Sequence, residues 1–472
     1  MKTTPDQCPF HARVSGQPPA QAQHAPGAWP AGPPSGFTGW GLLRRMSADL
    51  MGSLDEWRRQ YGDIVHLRIW PEHQVVVADP AMARELLVTH HAALIRWERG
   101  IDVFSQVHGH SVLTAEGTAW DTKRKALQPG FYPKPVQKLL PAIAAAGALA
   151  FARWQTTEES WPIESALTSL GMDVILQTMF SSTIDADARQ AEHAVRVVSA
   201  AGNAEMYWPV SLPDWLPWKR DKRRAIAWLK NLIERHVAQR MATARAAWPD
   251  DLLARLLALH LDDPATWPLQ AVRDECMTTF LAGHETAAAT LTWWAWCMAA
   301  NPLAQAAARD EVDTVLQGDA PDAQRMPSLR YLTQTVQETL RLYPAAPVLM
   351  TRRSRAPIAL GAWQFPARTI FTIPIYLLHH DARAFHEPHQ FLPERFGEGA
   401  PAIVRGALMP FGAGPRVCLG QHLAMTEICA TAAMLLQRFS LAIPKGMAPP
   451  EQQFNITLRP AKPLHLRLIG RG

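Results

Sequence analysis

Apolar positions along this chain recur mostly with a helical period, and alternation appears in only a few short places. From about Ala81 to Leu342 the segments are long, rich in Ala and Leu, and punctuated by Pro, Gly and Asp, which predicts a succession of helices. Two stand out: a helix of about thirty residues from Leu269 to Ala299, and an amphipathic helix from Tyr331 to Tyr343 that Pro344 ends. Strand patterns flank this block. Ile64–Ile69 and Gln74–Val77 read as a hairpin around a Trp-Pro-Glu-His turn. Further strand-like runs occur at Ile358–Leu360 and from Thr369 to Ile375. Phe454–Leu458 and Leu464–Leu468 read as a final hairpin. The expected class is mainly α with small β-sheets, with no internal repeat and no flavin-type, nicotinamide-type or iron–sulfur segment.

Composition adds bounds. The chain has 472 residues, 48% apolar and 19% charged, enough for a sizeable core. Residues 1–35 are rich in Pro, Gly, Ala and Gln and read as a flexible lead-in without signal or anchor character, leaving 36–472 as one catalytic domain. The apolar run Thr286–Ala300 is short for a bilayer span and reads as a buried core helix. Five scattered cysteines make no disulfide framework, so a reducing cytoplasm is the expected compartment. A formal charge of +5 is spread along the chain without the basic stripe that nucleic-acid binding requires. Neither a membrane anchor nor nucleic-acid binding is expected, and a monomer is.

The candidate chemistry centres on Phe411-Gly-Ala-Gly-Pro-Arg-Val-Cys418-Leu-Gly420. Gly412, Gly414 and Gly420 let the main chain approach a flat group closely. Phe411 gives the sulfur of Cys418 an apolar wall, and Arg416 is a fixed cation suited to a carboxylate. Such a turn suits a thiolate that ligates iron. The segment resembles the cysteine loop of the cytochrome P-450 haem-thiolate monooxygenases, whose pattern Phe-x-x-Gly-x-Arg-x-Cys-x-Gly it matches throughout. The resemblance implies that fold, with haem b between a long distal helix and a proximal loop and helix, and Cys418 as the iron ligand.

Other motifs follow in the family's order. Ala282-Gly283-His284-Glu285-Thr286 lies in the long helix, where an acid beside a hydroxyl is costly unless used. Thr286 can bond a carbonyl one turn back, and with Gly283 could open the helix locally to water or dioxygen. The resemblance makes Glu285 and Thr286 the acid–alcohol pair of proton delivery. Glu338 and Arg341 share a helix face at i,i+3; with Arg395 of Pro-Glu-Arg-Phe396 they would form the triad that locks the loop beneath the haem. Trp120 and Arg124 sit one turn apart and would bind a propionate, as would Arg416 and Arg352, although Arg353 beside it leaves that assignment open by one position. His379-His380-Asp381-Ala382 departs from the usual His-Arg-Asp-Pro and reads as structural, since adjacent histidines project differently and lack a fourth ligand.

The implied activity is insertion of one oxygen atom from O2 into a hydrophobic substrate, with electrons from a ferredoxin or flavodoxin and its reductase. The pocket should draw on 97–112, 206–218, 280–287, 348–351 and 454–456, with Arg96 or Arg99 available to a substrate carboxylate. The alternatives are a peroxide-dependent peroxygenase or isomerase, against which Glu285-Thr286 argues, and a non-enzymatic haem sensor, for which no output module is seen.

Overall fold

The computed structural model describes residues 28–182, 188–208 and 212–471. Helices α1 (Trp40–Ala48) and α2 (Leu50–Tyr61) precede the first hairpin, and Asp49 caps α2 by accepting from the Gly52 amide at 2.9 Å. Next come α3 (Pro80–Val88), α4 (Glu98–His108), α5 (Gly117–Leu127), α6 (Pro133–Gln137) and α7 (Leu140–Arg153). Proline opens α3 and Asp79 caps it, a pairing that sets a helix start unambiguously. The middle of the chain forms α8 (Ile163–Phe180), α9 (Ala188–Met206), α10 (Arg220–Met241) and α11 (Leu252–Asp262). Finally α12 (Leu269–Ala300), α13 (Pro302–Leu316), α14 (Arg330–Leu342), α15 (Ile375–His379) and α16 (Gln421–Arg438) build the centre of the molecule.

Helix α12, 32 residues and roughly 48 Å long, is the axis of the fold. Every residue from Ala287 to Ala299 is buried, so the apolar run is a core helix, as its length predicts. It packs against α8, α10, α11, α14 and α16. Gly171 and Gly283 permit the closest of these contacts: a Cβ on Gly171 would lie 3.2 Å from the His284 carbonyl oxygen, and one on Gly283 would lie 2.5 Å from Cδ1 of Ile175. The stretch Pro133–Arg153 is long and apolar enough in composition to cross a bilayer; in this fold α7 packs on α8 and α16.

The largest sheet has five strands: β1 (Ile64–Ile69), β2 (Glu72–Val77), β3 (Leu94–Arg96), β5 (Arg352–Ser354) and β8 (Ile370–Thr372), in the order β1-β2-β8-β5-β3. The intervening strand β4 (Thr157–Trp161) belongs elsewhere, and β6 (Ile358–Leu360) pairs with β7 (Trp363–Phe365). The first hairpin is observed as expected. The last is not. Strand β10 (Gln452–Asn455) turns back on β11 (Thr457–Pro460), while β12 (Leu466–Gly470) joins β4 and β9 (Phe439–Ala442). Both runs show strand periodicity, and neither carries the long-range pairing information that separates them.

Of the expected lead-in, residues 1–27 lie outside the described residues. Its described end is packed: Trp29 stacks on His66 and His73 at 4.5 Å each, and the His66 amide donates to the Ala31 carbonyl.

Candidate functional site

Between α12 and the segment 410–428 lies a cavity of about 490 Å³. Among the described residues, Cys418 is the one cysteine that reaches it; Cys276, Cys297 and Cys429 are buried elsewhere. The loop that delivers Cys418 is wound by its own backbone. The Gly412 amide donates to Met409, Val417 to Gly414, and Cys418 to Phe411. Gly414 has φ 73° and a Cβ there would meet the Leu87 carbonyl at 2.2 Å, so no other residue fits. Helix α16 starts at Gln421, three residues after the cysteine. Burial pushes the Cys418 thiol up, while the Gly420 amide and the Arg124 guanidinium favour the thiolate.

Four guanidiniums converge on one end of the cavity: Arg96, Arg124, Arg352 and Arg416. Arg124 donates to the Val417 carbonyl at 2.9 Å and Arg416 lies 4.2 Å above the Trp120 ring. Glu116 is the nearby carboxylate, bonded by Arg416 and, at 3.1 Å, by Arg96. Burial and the neighbouring cations lower Arg96 to about 9; burial and Arg416 lower Arg352 to about 10. Arg353 is committed to Glu72 (2.7 Å) and Glu98 (2.5 Å), so Arg352 is the member of that pair on the cavity. The Nη1 of Arg416 is buried without a partner among the described residues.

Opposite Cys418, α12 presents Ala282, Gly283, Thr286, Ala287 and Thr290. Thr286 Oγ1 donates to the Ala282 carbonyl at 2.8 Å, the back-bond the sequence predicts. The helix is nevertheless continuous through Gly283, whose missing side chain admits Ile175 of α8 instead of opening the turn. Glu285 also departs from the simplest reading. Its carboxylate is not among the groups lining the cavity: it accepts from Ser199 of α9 (3.2 Å) and Thr457 of β11 (3.0 Å), with Arg459 at 3.7 Å. Of the acid–alcohol pair, only the hydroxyl faces the chamber directly.

Glu338, Arg341 and Arg395 meet as expected. Glu338 and Arg341 have no solvent exposure and pair at 2.7 Å; Arg395 reaches Glu338 at 3.1 Å. His379 accepts the Met409 amide on Nε2 and faces the Arg341 carbonyl with Nδ1, and Asp381 pairs with Arg58 and Arg383. These residues brace the cysteine loop from outside the cavity.

Arg96 and Glu427 line the cavity and Glu116 stands beside it, and the sequence reading assigned none of them the part seen here. Arg96, considered there for a substrate carboxylate, stands beside Arg352 because β3 and β5 pair antiparallel with those residues in register. Glu116 follows no motif. Glu427 of α16 lines the cavity wholly buried, its Oε1 unpartnered among the described residues, and burial raises its pKa to about 8.

The arrangement suits haem b. A cysteine sulfur faces a gap below α12, and four guanidiniums around Glu116 leave an excess of positive charge that a pair of propionates would offset. The orphaned Arg416 nitrogen points to the same missing anion.

The family model for cytochrome P450 matches residues 30–468. The chain is 30% identical to cyclooctat-9-en-7-ol 5-monooxygenase of Streptomyces melanosporofaciens over 81% of its own length and 83% of that protein's. It is 28% identical to cyclooctatin synthase of the same organism, covering 89% and 91%. A chloroplastic carotene epsilon-monooxygenase of Arabidopsis thaliana is 26% identical over 84% and 78%.

Proposed function

This chain belongs to the cytochrome P450 family and is a haem-dependent monooxygenase, and we propose that it oxygenates a bulky cyclic hydrocarbon skeleton of isoprenoid type, with Cys418 as the residue that would ligate the haem iron. The observation that carries the reading is the cavity wall facing Cys418. Phe104, Val112, Met206, Val348, Phe454 and Ile456 make it broad and apolar, fit to exclude water from a rigid lipophilic body. Relatives named for oxidation of a cyclooctatenol and of carotene support the same class.

Haem b, when bound, supplies the activation of dioxygen. The protein's own residues do the rest. Arg96, Arg124, Arg352 and Arg416 would hold the haem propionates. The Thr286 hydrogen is committed to the Ala282 carbonyl, so the hydroxyl oxygen turns its lone pairs to the cavity and orients a water there. Glu285 stands one residue away as the proton reservoir, tethered by Ser199, Thr457 and Arg459.

Arg84, Lys125 and Lys134 are exposed on α3, α5 and α6, which touch the cysteine loop or α16, and exposed Arg405 precedes Gly406, which abuts α3; these cations favour an acidic one-electron carrier, a ferredoxin or flavodoxin with its reductase. The test is turnover of cyclic isoprenoids under 18O2 with a ferredoxin, its reductase and NADPH, beside hydrogen peroxide alone. The reading predicts one labelled oxygen in the product and dependence on the carrier. Equal turnover with peroxide and none with the carrier would establish the peroxygenase alternative.

A further inference from the structure

The inner face of α9 and the turn that follows it carry an uncommitted polar pair in an otherwise apolar part of the chamber. Ser199 and Asn203 share one face of α9 at i,i+4 spacing, and Tyr207 follows in the turn that closes the helix, its amide donating to the Ala204 carbonyl. Ser199 contacts Glu285 of α12, which fixes where that face begins. Tyr207 packs on the hydrophobic cluster to which Leu42, Met46 and Leu50 of α1 and α2 belong. Between them, a Cβ on Gly202 would lie 3.4 Å from Cδ1 of Ile456 and 3.7 Å from Cγ1 of Val103, so the turn carrying Asn203 is held between α4 and the β10–β11 turn.

Both Asn203 and Tyr207 line the cavity. The threonine hydroxyls of α12 in the same cavity spend their hydrogens inside the protein: Thr278 on Ser111, Thr279 on the Glu275 carbonyl, Thr286 on Ala282 and Thr290 on Thr286. Neither the Asn203 amide nor the Tyr207 hydroxyl has a hydrogen-bond partner among the described residues, and neither is an orphan sealed in packed core. Burial holds the tyrosine neutral, as a donor and acceptor. Polar groups set into an apolar chamber and left free of internal bonds are the usual means of fixing a ligand's orientation.

We propose that Asn203 and Tyr207 bind an oxygen function, a hydroxyl or a carbonyl, already present on the substrate, so that the enzyme acts on a hydrophobic compound that an earlier oxygenation or a water-quenched cyclisation has supplied. This rests on the monooxygenase reading above and narrows it from a hydrocarbon skeleton to an oxygenated one. Asn203 and Tyr207 line the cavity from α9 and the turn after it, and Thr286 lines it from α12, so the existing oxygen would be held away from the carbon presented to Thr286.

The test uses the haem-loaded full chain and a panel of C15 and C20 cyclic terpene alcohols, each beside the hydrocarbon that lacks its hydroxyl. Dissociation constants come from calorimetry and from the substrate-induced absorption change; products are located by mass spectrometry and NMR. Wild type should bind the best alcohol about 10- to 100-fold more tightly than its hydrocarbon. Asn203→Leu and Tyr207→Phe should lose that preference while binding the hydrocarbon unchanged, and should scatter the position of oxygenation. Their haem content and unliganded spectra control for misfolding. Alcohols and hydrocarbons bound equally by wild type and both variants would overturn the anchor and leave the monooxygenase reading intact. Binding of no member of the panel, with turnover of a hydrophilic compound instead, would overturn both.

Discussion

Glu338→Ala isolates the brace behind the cysteine loop. The Glu338 carboxylate accepts four N–H groups: two from Arg341 at 2.7 and 2.8 Å, the Leu392 amide at 3.0 Å and Arg395 at 3.1 Å. Arg341 is wholly buried, so truncating its partner leaves an uncompensated guanidinium in low dielectric, at a cost of about 3–5 kcal/mol. An unfolding entropy of roughly 2.1 cal/mol/K per residue over 472 residues is about 1 kcal/mol/K, which converts that cost to about 3–5 °C in Tm. Calorimetric melting of wild type and variant, with haem content per chain, reads both effects. Haem retention should fall because the Leu392 amide and Arg395 anchor the segment leading to the loop. Replacing both members, Glu338→Met with Arg341→Met, should not restore stability, since Arg341 also donates to the carbonyls of His379, Pro388 and Gln390. A melting point within a degree of wild type and full haem content in Glu338→Ala would refute the argument.

Other expectations follow from single contacts. Gly283→Ala should destabilise by roughly 1–3 kcal/mol through its clash with Cδ1 of Ile175, and Ile175→Val, which removes that atom, should recover most of the loss in denaturant titration. Thr286→Ala should keep haem and substrate binding while diverting electrons to hydrogen peroxide; unchanged coupling of NADPH use to product would show that protons arrive by another route. Glu427 has a folded pKa raised to about 8, so the folded state holds a proton that the unfolded chain releases near 4.5. Its contribution to stability is full below about 4.5, falls by up to roughly 1.4 kcal/mol per pH unit as pH rises, and levels off above about 8. Glu427→Gln should therefore gain on wild type across that window, and parallel pH–stability curves would contradict the assignment.

What the sequence made legible was local. The cysteine loop, the i,i+3 pair of α14 and the extent of α12 are each written in consecutive residues. What it hid depends on partners far along the chain. Arg96 joins Arg352 only through β3–β5 pairing, and Glu285 turns from the cavity because Ser199, Thr457 and Arg459 reach it from α9 and β11. The final hairpin failed for the same reason: periodicity identifies a strand, and the partner is chosen by tertiary packing. Gly283 was read as a possible weak point of α12, whereas the neighbouring Ile175 makes it a site of close packing.

The central claim is that Cys418 holds haem iron as a thiolate on one side of the cavity. The reduced protein under carbon monoxide tests it, because thiolate ligation shifts the Soret band of that complex to the red. Wild type should show the shifted band, and so should variants with Cys276, Cys297 or Cys429 replaced by Ala. Cys418→His should bind haem and lose the shift. A wild-type spectrum in Cys418→His, or no shifted band in the native protein, would contradict the account.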